Sequence, residues 1–240
     1  MKITFRCPPE LEDRLPKPFP AKRGLPEWLK TMPMSAEAPE FGKVLPTLKQ
    51  CPPFLDAMAF GFIVPLAADL RVEGGVFAWD WGEPPVDGTV RASGLGPYPE
   101  SPISYQHNAQ MTGTPLFDKD YSAIKFHCFW TIELPLGYAL FATHPVNRHD
   151  LPFRSLTGLI DCDHFSHAFV HFPALWVDHE FRGVLPKGTP IAQCLAVKRE
   201  AYELAFEQLS GAAGERFAAY RTAARADAHI YKNRYRQKKP

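Results

Sequence analysis

Two stretches decide how this chain reads: Thr157-Gly158-Leu159-Ile160-Asp161-Cys162-Asp163-His164 and, downstream, Gly183-Val184-Leu185-Pro186-Lys187-Gly188-Thr189-Pro190-Ile191-Ala192-Gln193. The first sets carboxylates beside an apolar strand end and a glycine. The second reads as a strand, a Lys-Gly turn and another strand that ends in a polar amide. Short β elements broken by tight turns are the expected architecture of this region.

The same grammar continues outward. Ser122–Glu133 is the longest β-like run, with Ile124, Phe126, Phe129 and Trp130. Leu134-Pro135-Leu136-Gly137 turns the chain, and Tyr138–Ala142 returns. Leu156–Ile160, Ala168–Phe172, Leu175–Asp178 and Ile191–Val197 follow. Upstream, Phe60–Leu66, Asp69–Val72, Gly75–Trp81 and Thr89–Ala92 are short runs separated by Gly-Gly, Pro-Pro and Asp-Gly signals. Residues 93–121, rich in Gly, Pro and Ser, read as a long loop. Helical character is expected only at Pro26–Lys30 and in the Ala-, Glu- and Arg-rich segments Glu200–Leu209 and Glu215–Ala228, where Leu204, Leu209, Phe217 and Tyr220 could line one face. Three regions result: a Pro-rich wrapping arm over residues 1–59, a β domain over 60–199, and a helical extension with a basic tail over 200–240.

Composition sets the limits. A chain of 240 residues with 45% hydrophobic side chains can bury a sizeable core. Twenty-five prolines disfavour long helices and central strands. The balance of 27 basic against 26 acidic side chains gives no electrostatic footprint for nucleic acid or a membrane surface. The five cysteines are scattered, without a C-x-x-C pair, so neither a disulfide framework nor a structural zinc site is expected. No apolar leader or membrane-length run is present, and the chain reads as cytoplasmic.

The motifs quoted above carry a resemblance. From Leu134 to Val197 the chain resembles the dUTPase family: Gly158-Leu159-Ile160-Asp161-Cys162-Asp163-His164 is similar to its third motif, and Lys187-Gly188-Thr189-Pro190-Ile191-Ala192-Gln193 to its fourth. The resemblance implies a mainly β fold, a β-clip barrel of short strands, and a nucleotide site. It implies Asp161 as the water-activating general base with Asp163 beside it, and His164 where a tyrosine packs on the sugar. Gln193 falls at a phosphate-holding amide. Mg²⁺ would neutralise the substrate, and self-association, as a trimer in that family, is implied. The chain departs from the family at the phosphate contacts. Its Arg-Ser pair reads Ala142-Thr143, with His144, Asn147 and Arg148 as stand-ins. The fourth-motif arginine is Pro190, and the glycine-rich lid is replaced by helix-forming sequence. Hydrolysis of dUTP itself is therefore expected to be absent or weak. The whole chain also resembles a family of bacterial and phage proteins of no assigned function, through Pro26-Glu27-Trp28-Leu29-Lys30 and Lys49-Gln50-Cys51-Pro52-Pro53.

A second constellation is histidine. His107, His127, His144, His149, His164, His167, His171 and His179 all fall in the β region, with Asp150, Asp161 and Asp163 nearby. Two imidazoles and a carboxylate suffice for an iron or other transition-metal site. His144 and His149 flank a turn, and His167 and His171 share a strand face. These four are the candidate metal ligands. Cys162 lies between two carboxylates, which raise a thiol pKa and disfavour a nucleophile. Trp79 and Trp81 share a strand face and could stack on a flat ligand. No P-loop, G-x-G-x-x-G or G-x-S-x-G motif occurs. Three functions stay open: a small-molecule-binding, hydrolase-like enzyme, a metal-dependent oxygenase, or a non-catalytic binding or assembly protein.

Overall fold

Short apolar runs bounded by Pro, Gly and Asp become short strands, because each boundary residue ends a ladder or reverses the chain. A computed structural model describes residues 1–73, 76–80, 101–116, 121–227 and 229–237. In chain order the strands are β1 (Thr4–Arg6), β2 (Phe19–Pro20), β3 (Ser35–Ala38), β4 (Lys43–Pro46), β5 (Phe62–Pro65), β6 (Asp69–Glu73), β7 (Val76–Asp80), β8 (Ile103–Tyr105), β9 (Ser122–Glu133), β10 (Tyr138–Thr143), β11 (Phe153–Ser155), β12 (Gly158–Ile160), β13 (Phe169–Trp176), β14 (Gly183–Leu185) and β15 (Pro190–Lys198). The α-helices are α1 (Glu27–Thr31), α2 (Pro52–Ala59) and α3 (Gly211–Ala226). The expected strand Thr89–Ala92, Trp81 and the tail lysines Lys238 and Lys239 lie outside the described residues.

Residue contacts divide the chain into two units, Met1–Lys30 with Met58–Arg199, and Thr31–Ala57 with Glu200–Pro240. The first unit is mainly β and antiparallel. One sheet has the order β1-β9-β13-β11, with β8 also paired to β9. A second has the order β12-β10-β15-β5-β2, and a third the order β14-β6-β7. Among the described residues the sheets do not close into a barrel, which corrects that part of the expectation. The first thirty residues contribute β1 and β2 to two of the sheets.

Alternation places the core. Along β6, Leu70 and Val72 are buried while Asp69, Arg71 and Glu73 face out. Phe126, Cys128 and Ile132 of β9, Phe172 and Trp176 of β13, Leu140 of β10 and Cys194 of β15 meet in one apolar cluster. Lys125, His127 and Thr131 of β9 keep to its other face, part-exposed. Two strand boundaries differ from the sequence reading. Leu156–Ile160 shortens to β12, and the residues just before it, Phe153–Ser155, form β11 in a different sheet. Ala168–Phe172 and Leu175–Asp178 merge into β13, because the Pro173 carbonyl accepts from the Leu156 N–H at 2.8 Å and continues the ladder.

The second unit contains the β3–β4 hairpin and α3. Asp56 and Arg236 form a bidentate pair at 2.5 and 3.1 Å. Glu200–Leu209 is not helical, contrary to expectation. Ten residues of helix are marginal without an apolar surface to pack on, and the large side chains of this segment are solvent-exposed. No helix among the described residues is long and apolar enough to cross a membrane.

Candidate functional site

The corner that carries the motifs is built by Arg199. β12 ends at Ile160, and the next residues turn: the N–H groups of His164 and Phe165 both donate to the Asp161 carbonyl, at 2.9 and 2.8 Å. This turn aims both carboxylates at the end of β15. Arg199 donates from Nη1 to Asp161 Oδ1 at 2.6 Å and to Asp163 Oδ1 at 2.8 Å, and from Nη2 to Asp163 Oδ2 at 2.5 Å. The Gly137 N–H adds a bond to Asp163 Oδ2 at 2.9 Å. The Asp163 side chain is fully enclosed. The Arg199 hydrogen bonds pull its carboxyl down to about 2, against the opposing effect of burial. The Asp161 side chain is 65% exposed and lines none of the described clefts. Between them, burial and the two carboxylates push the Cys162 thiol up to about 11. This geometry is that of a locked turn. His164 stands exposed, 3.7 Å from Asp163.

The neighbouring candidates are equally engaged. Gln193, 2% exposed, donates from Nε2 to the Phe60 carbonyl at 2.7 Å and accepts the Val146 N–H at 3.1 Å. His144 uses both ring nitrogens: Nδ1 accepts the Ser155 N–H at 3.2 Å, and Nε2 lies 2.8 Å from the Arg148 carbonyl. That pairing fixes the Nε2–H tautomer, and burial lowers the ring's pKa. Asn147 has a φ of 60° and turns the chain, so that the Arg148 N–H reaches the Pro145 carbonyl at 3.1 Å. Arg148 holds Asp150 with three bonds of 2.8, 3.1 and 2.9 Å, and Trp28 reaches the same carboxylate at 3.4 Å. His149 is exposed, and its carbonyl accepts from Arg154.

These arrangements do not fit the metals expected from the sequence. Among the described residues no three His, Cys, Asp or Glu side chains converge on one point. His144 has no free ring nitrogen in its neutral form. His149 is near enough for its charge to act on His144, but among the described residues no third ligand joins the two. The Asp161–Asp163 pair is held by the Arg199 guanidinium.

A different surface has unused chemistry. β9 and β13 pair as His127↔His171 and Thr131↔Phe169, so Cys128, Phe129 and Trp130 stand opposite Val170 alone. Two extra residues preserve the alternation of faces. Phe129 absorbs the bulge at a φ of 56°, a conformation rare for a bulky side chain. The Cys128 thiol lies 3.1 Å from the Val170 carbonyl at this irregularity. Thr131 therefore sits between Arg6 of β1 and Phe169 of β13 in one cross-strand row. Its hydroxyl is buried and has no hydrogen-bond partner among the described residues. Arg6, Cys7, Pro8, Thr131, His167, Ala168 and Phe169 line a cleft of about 440 Å³ here. Arg6 is also paired with Glu133 at 2.5 Å.

Beyond the bulge on the same sheet lie two imidazoles. The rings of His127 and His171 are 4.5 Å apart, and Ser104 Oγ is 3.1 Å from His127 Nε2. Burial, then His171 and Lys125, lower the pKa of His127 to about 4. Burial and Lys125 also lower that of His171. Both are neutral at pH 7. A folded pKa below the unfolded value of 6.5 means that the unfolded chain takes up protons first as pH falls. Stability from His127 is thus complete above about pH 6.5 and is lost progressively toward pH 4. The full shift corresponds to about 3 kcal/mol before screening, and to less for a part-exposed ring. Denaturant midpoints at pH 7.5, 6 and 4.5 should fall in that order, and His127→Asn should flatten the slope.

Comparison with known families finds no family model that matches the chain, and comparison with curated proteins finds none similar to it. The site rests on its own residues. The sequence pointed to His167 and His171 but not to Arg6, Thr131 or the His127 partnership. The visible signal was the long run Ser122–Glu133, whose outward residues are polar at Lys125, His127 and Thr131.

Proposed function

We propose that this protein binds a small molecule with an anionic group and an aromatic or apolar body, in the cleft on the outer face of the β1-β9-β13 sheet. The buried, unpartnered Thr131 hydroxyl carries this reading. A buried hydroxyl without a partner costs about 1–3 kcal/mol, and a ligand oxygen would remove that cost. Arg6 and His167 add donors suited to a carboxylate or phosphate, and Phe169 supplies an apolar wall. A volume of about 440 Å³ suits a ligand of metabolite size. Phenyl phosphate matches this chemistry and serves as the probe. In amide correlation spectra its addition should shift Arg6, Cys7, Thr131 and Ala168 saturably. Shifts confined to Asp161–His164 would move the site to the motif corner.

Kinship with the dUTPase-like β-clip proteins remains part of the proposal at the level of fold. The adjacency of β12, β10 and β15, which brings both motifs into one sheet, supports it. The family's hydrolysis does not follow. Asp161 is held by Arg199, and Ala142-Thr143 and Pro190 replace its phosphate contacts. Each missing charge-assisted contact weakens binding by roughly 1.5–3 kcal/mol. Incubation with dUTP and Mg²⁺ should release pyrophosphate at well below about one per second, the lower end for competent enzymes. Turnover at or above that rate would restore Asp161 as a general base.

A further inference from the structure

The second unit has almost no core. Neither hydrophobic cluster among the described residues contains a residue of Thr31–Ala57 or Glu200–Pro240. α3 runs for 16 residues and buries none of them. Its length is only just beyond the roughly 12–15 residues below which isolated helices are marginal in water, its first turn carries Gly211 and Gly214, and the Tyr220 ring meets Tyr235 at 5.7 Å, so a further apolar surface would stabilise it. The segment before it shows what that surface must cover. Tyr202, Leu204, Phe206 and Leu209 are 84, 76, 92 and 63% exposed. In extended chain, Tyr202, Leu204 and Phe206 fall on one side by their spacing of two. The segment has no regular secondary structure and also carries Glu203 and Glu207. α3 has the opposite charge. Arg216, Arg221 and Arg225 outnumber its one acid, Glu215. Ala213, Phe217, Tyr220 and Ala224 recur at helical spacing as a narrow apolar stripe. Phe217 and Tyr220 are 45 and 40% exposed, and Arg221 lies over the Phe217 ring.

We infer that the chain self-associates through this unit: the acidic, apolar segment Glu200–Leu209 of one copy lies along the basic face of α3 of a second copy, reciprocally. The matched surfaces belong to one sequence, so a second copy supplies both halves of the contact at once. A two-fold exchange uses each surface twice. The area is sufficient. Aromatic side chains bury on the order of 150–250 Å² each, so Tyr202 and Phe206, with Leu204 between them on the same side, hide on the order of 450 Å² per copy. Two copies, with the helix stripes they cover, reach about 1,200–2,000 Å², the range of stable specific interfaces. Glu203 and Glu207, on the other side of the extended segment, stay at the rim of the contact, where Arg216 and Arg221 beside the stripe attract them and a second glutamate-bearing segment would repel them.

The test uses the full chain in sedimentation velocity. The wild type should be dimeric at micromolar concentration. Leu204→Asp with Phe206→Asp should be monomeric, with unchanged far-UV circular dichroism, since both residues are already exposed. Reversing charge in Glu203→Arg with Glu207→Arg, or in Arg216→Glu with Arg221→Glu, should weaken each homodimer at least tenfold. Mixing the two charge-reversed chains should restore a dimer. A monomeric wild type at 100 micromolar or so, a dimer that survives the double aspartate change, or no recovery on mixing would overturn the inference. Binding of the wild-type monomer to anionic vesicles through the same residues would also overturn it, by naming a lipid surface as the occupant.

Discussion

Replacing Gly61 with alanine should destabilise the first unit by on the order of 3–5 kcal/mol, a large part of the 5–15 kcal/mol by which domains are stable. Gly61 has a φ of 79°, and a Cβ at this position would lie 2.2 Å from the Cys194 carbonyl oxygen. That neighbour is backbone of β15, a strand paired on both sides, to β10 and β5. It has no side chain to swing aside. The Gly61 carbonyl also accepts the Ala21 N–H at 3.0 Å, so a shift there would loosen the N-terminal segment as well. Urea denaturation reads the effect as a lower midpoint at unchanged slope. A midpoint within a few tenths molar of wild type would mean that β5 and β15 do not approach as described.

Changing Gln193 to leucine should cost about 2–5 kcal/mol. Leucine keeps the volume and removes the amide's bonds to the Phe60 carbonyl and the Val146 N–H. The Phe60 carbonyl and the Val146 N–H are then left unpaired, at about 1–3 kcal/mol each. The measurement separates two roles for one residue. A phosphate-holding amide could be lost with little change in stability and a large change in ligand affinity. A structural cross-link between β15, the Pro145–Arg148 turn and the chain before β5 gives the reverse, and that is the expected result. The same logic makes Arg199 a residue of the fold: its loss strips the enclosed Asp163 of its charged partner.

Much of the β architecture was legible because alternation and turn chemistry are local. Asp69-Leu70-Arg71-Val72-Glu73 states its own strand and its own faces. The Pro135–Tyr138 turn is written in its proline and glycine, and the Tyr138 N–H reaches the Pro135 carbonyl as such a turn requires. The site was less legible, because it depends on pairings distant in sequence. Nothing in Asp161-Cys162-Asp163 announces that Arg199 will take both carboxylates. Nothing near His144 announces that the Ser155 N–H and the Arg148 carbonyl will use both its nitrogens. The bulge is hidden for another reason: a positive φ at Phe129 is imposed by the sheet, where local sequence would favour glycine or asparagine. Without the bulge, His127 would not face His171, nor Thr131 face Phe169. Glu200–Leu209 misleads in the other direction. Its Ala, Glu and Leu content favours helix, but propensity over ten residues does not offset nucleation when no apolar surface receives the segment.

The central claim is that the ligand site lies at Thr131 on the β1-β9-β13 face, away from the motif corner at Asp161. Titration calorimetry with phenyl phosphate on three proteins tests it most directly. Wild type and Asp161→Asn should bind one equivalent with affinities equal within about twofold. Thr131→Val, which keeps the side-chain shape and removes only the hydroxyl, should bind about tenfold more weakly, the loss of one buried hydrogen bond at about 1.4 kcal/mol. No binding to wild type, or binding lost in Asp161→Asn and kept in Thr131→Val, would contradict the account.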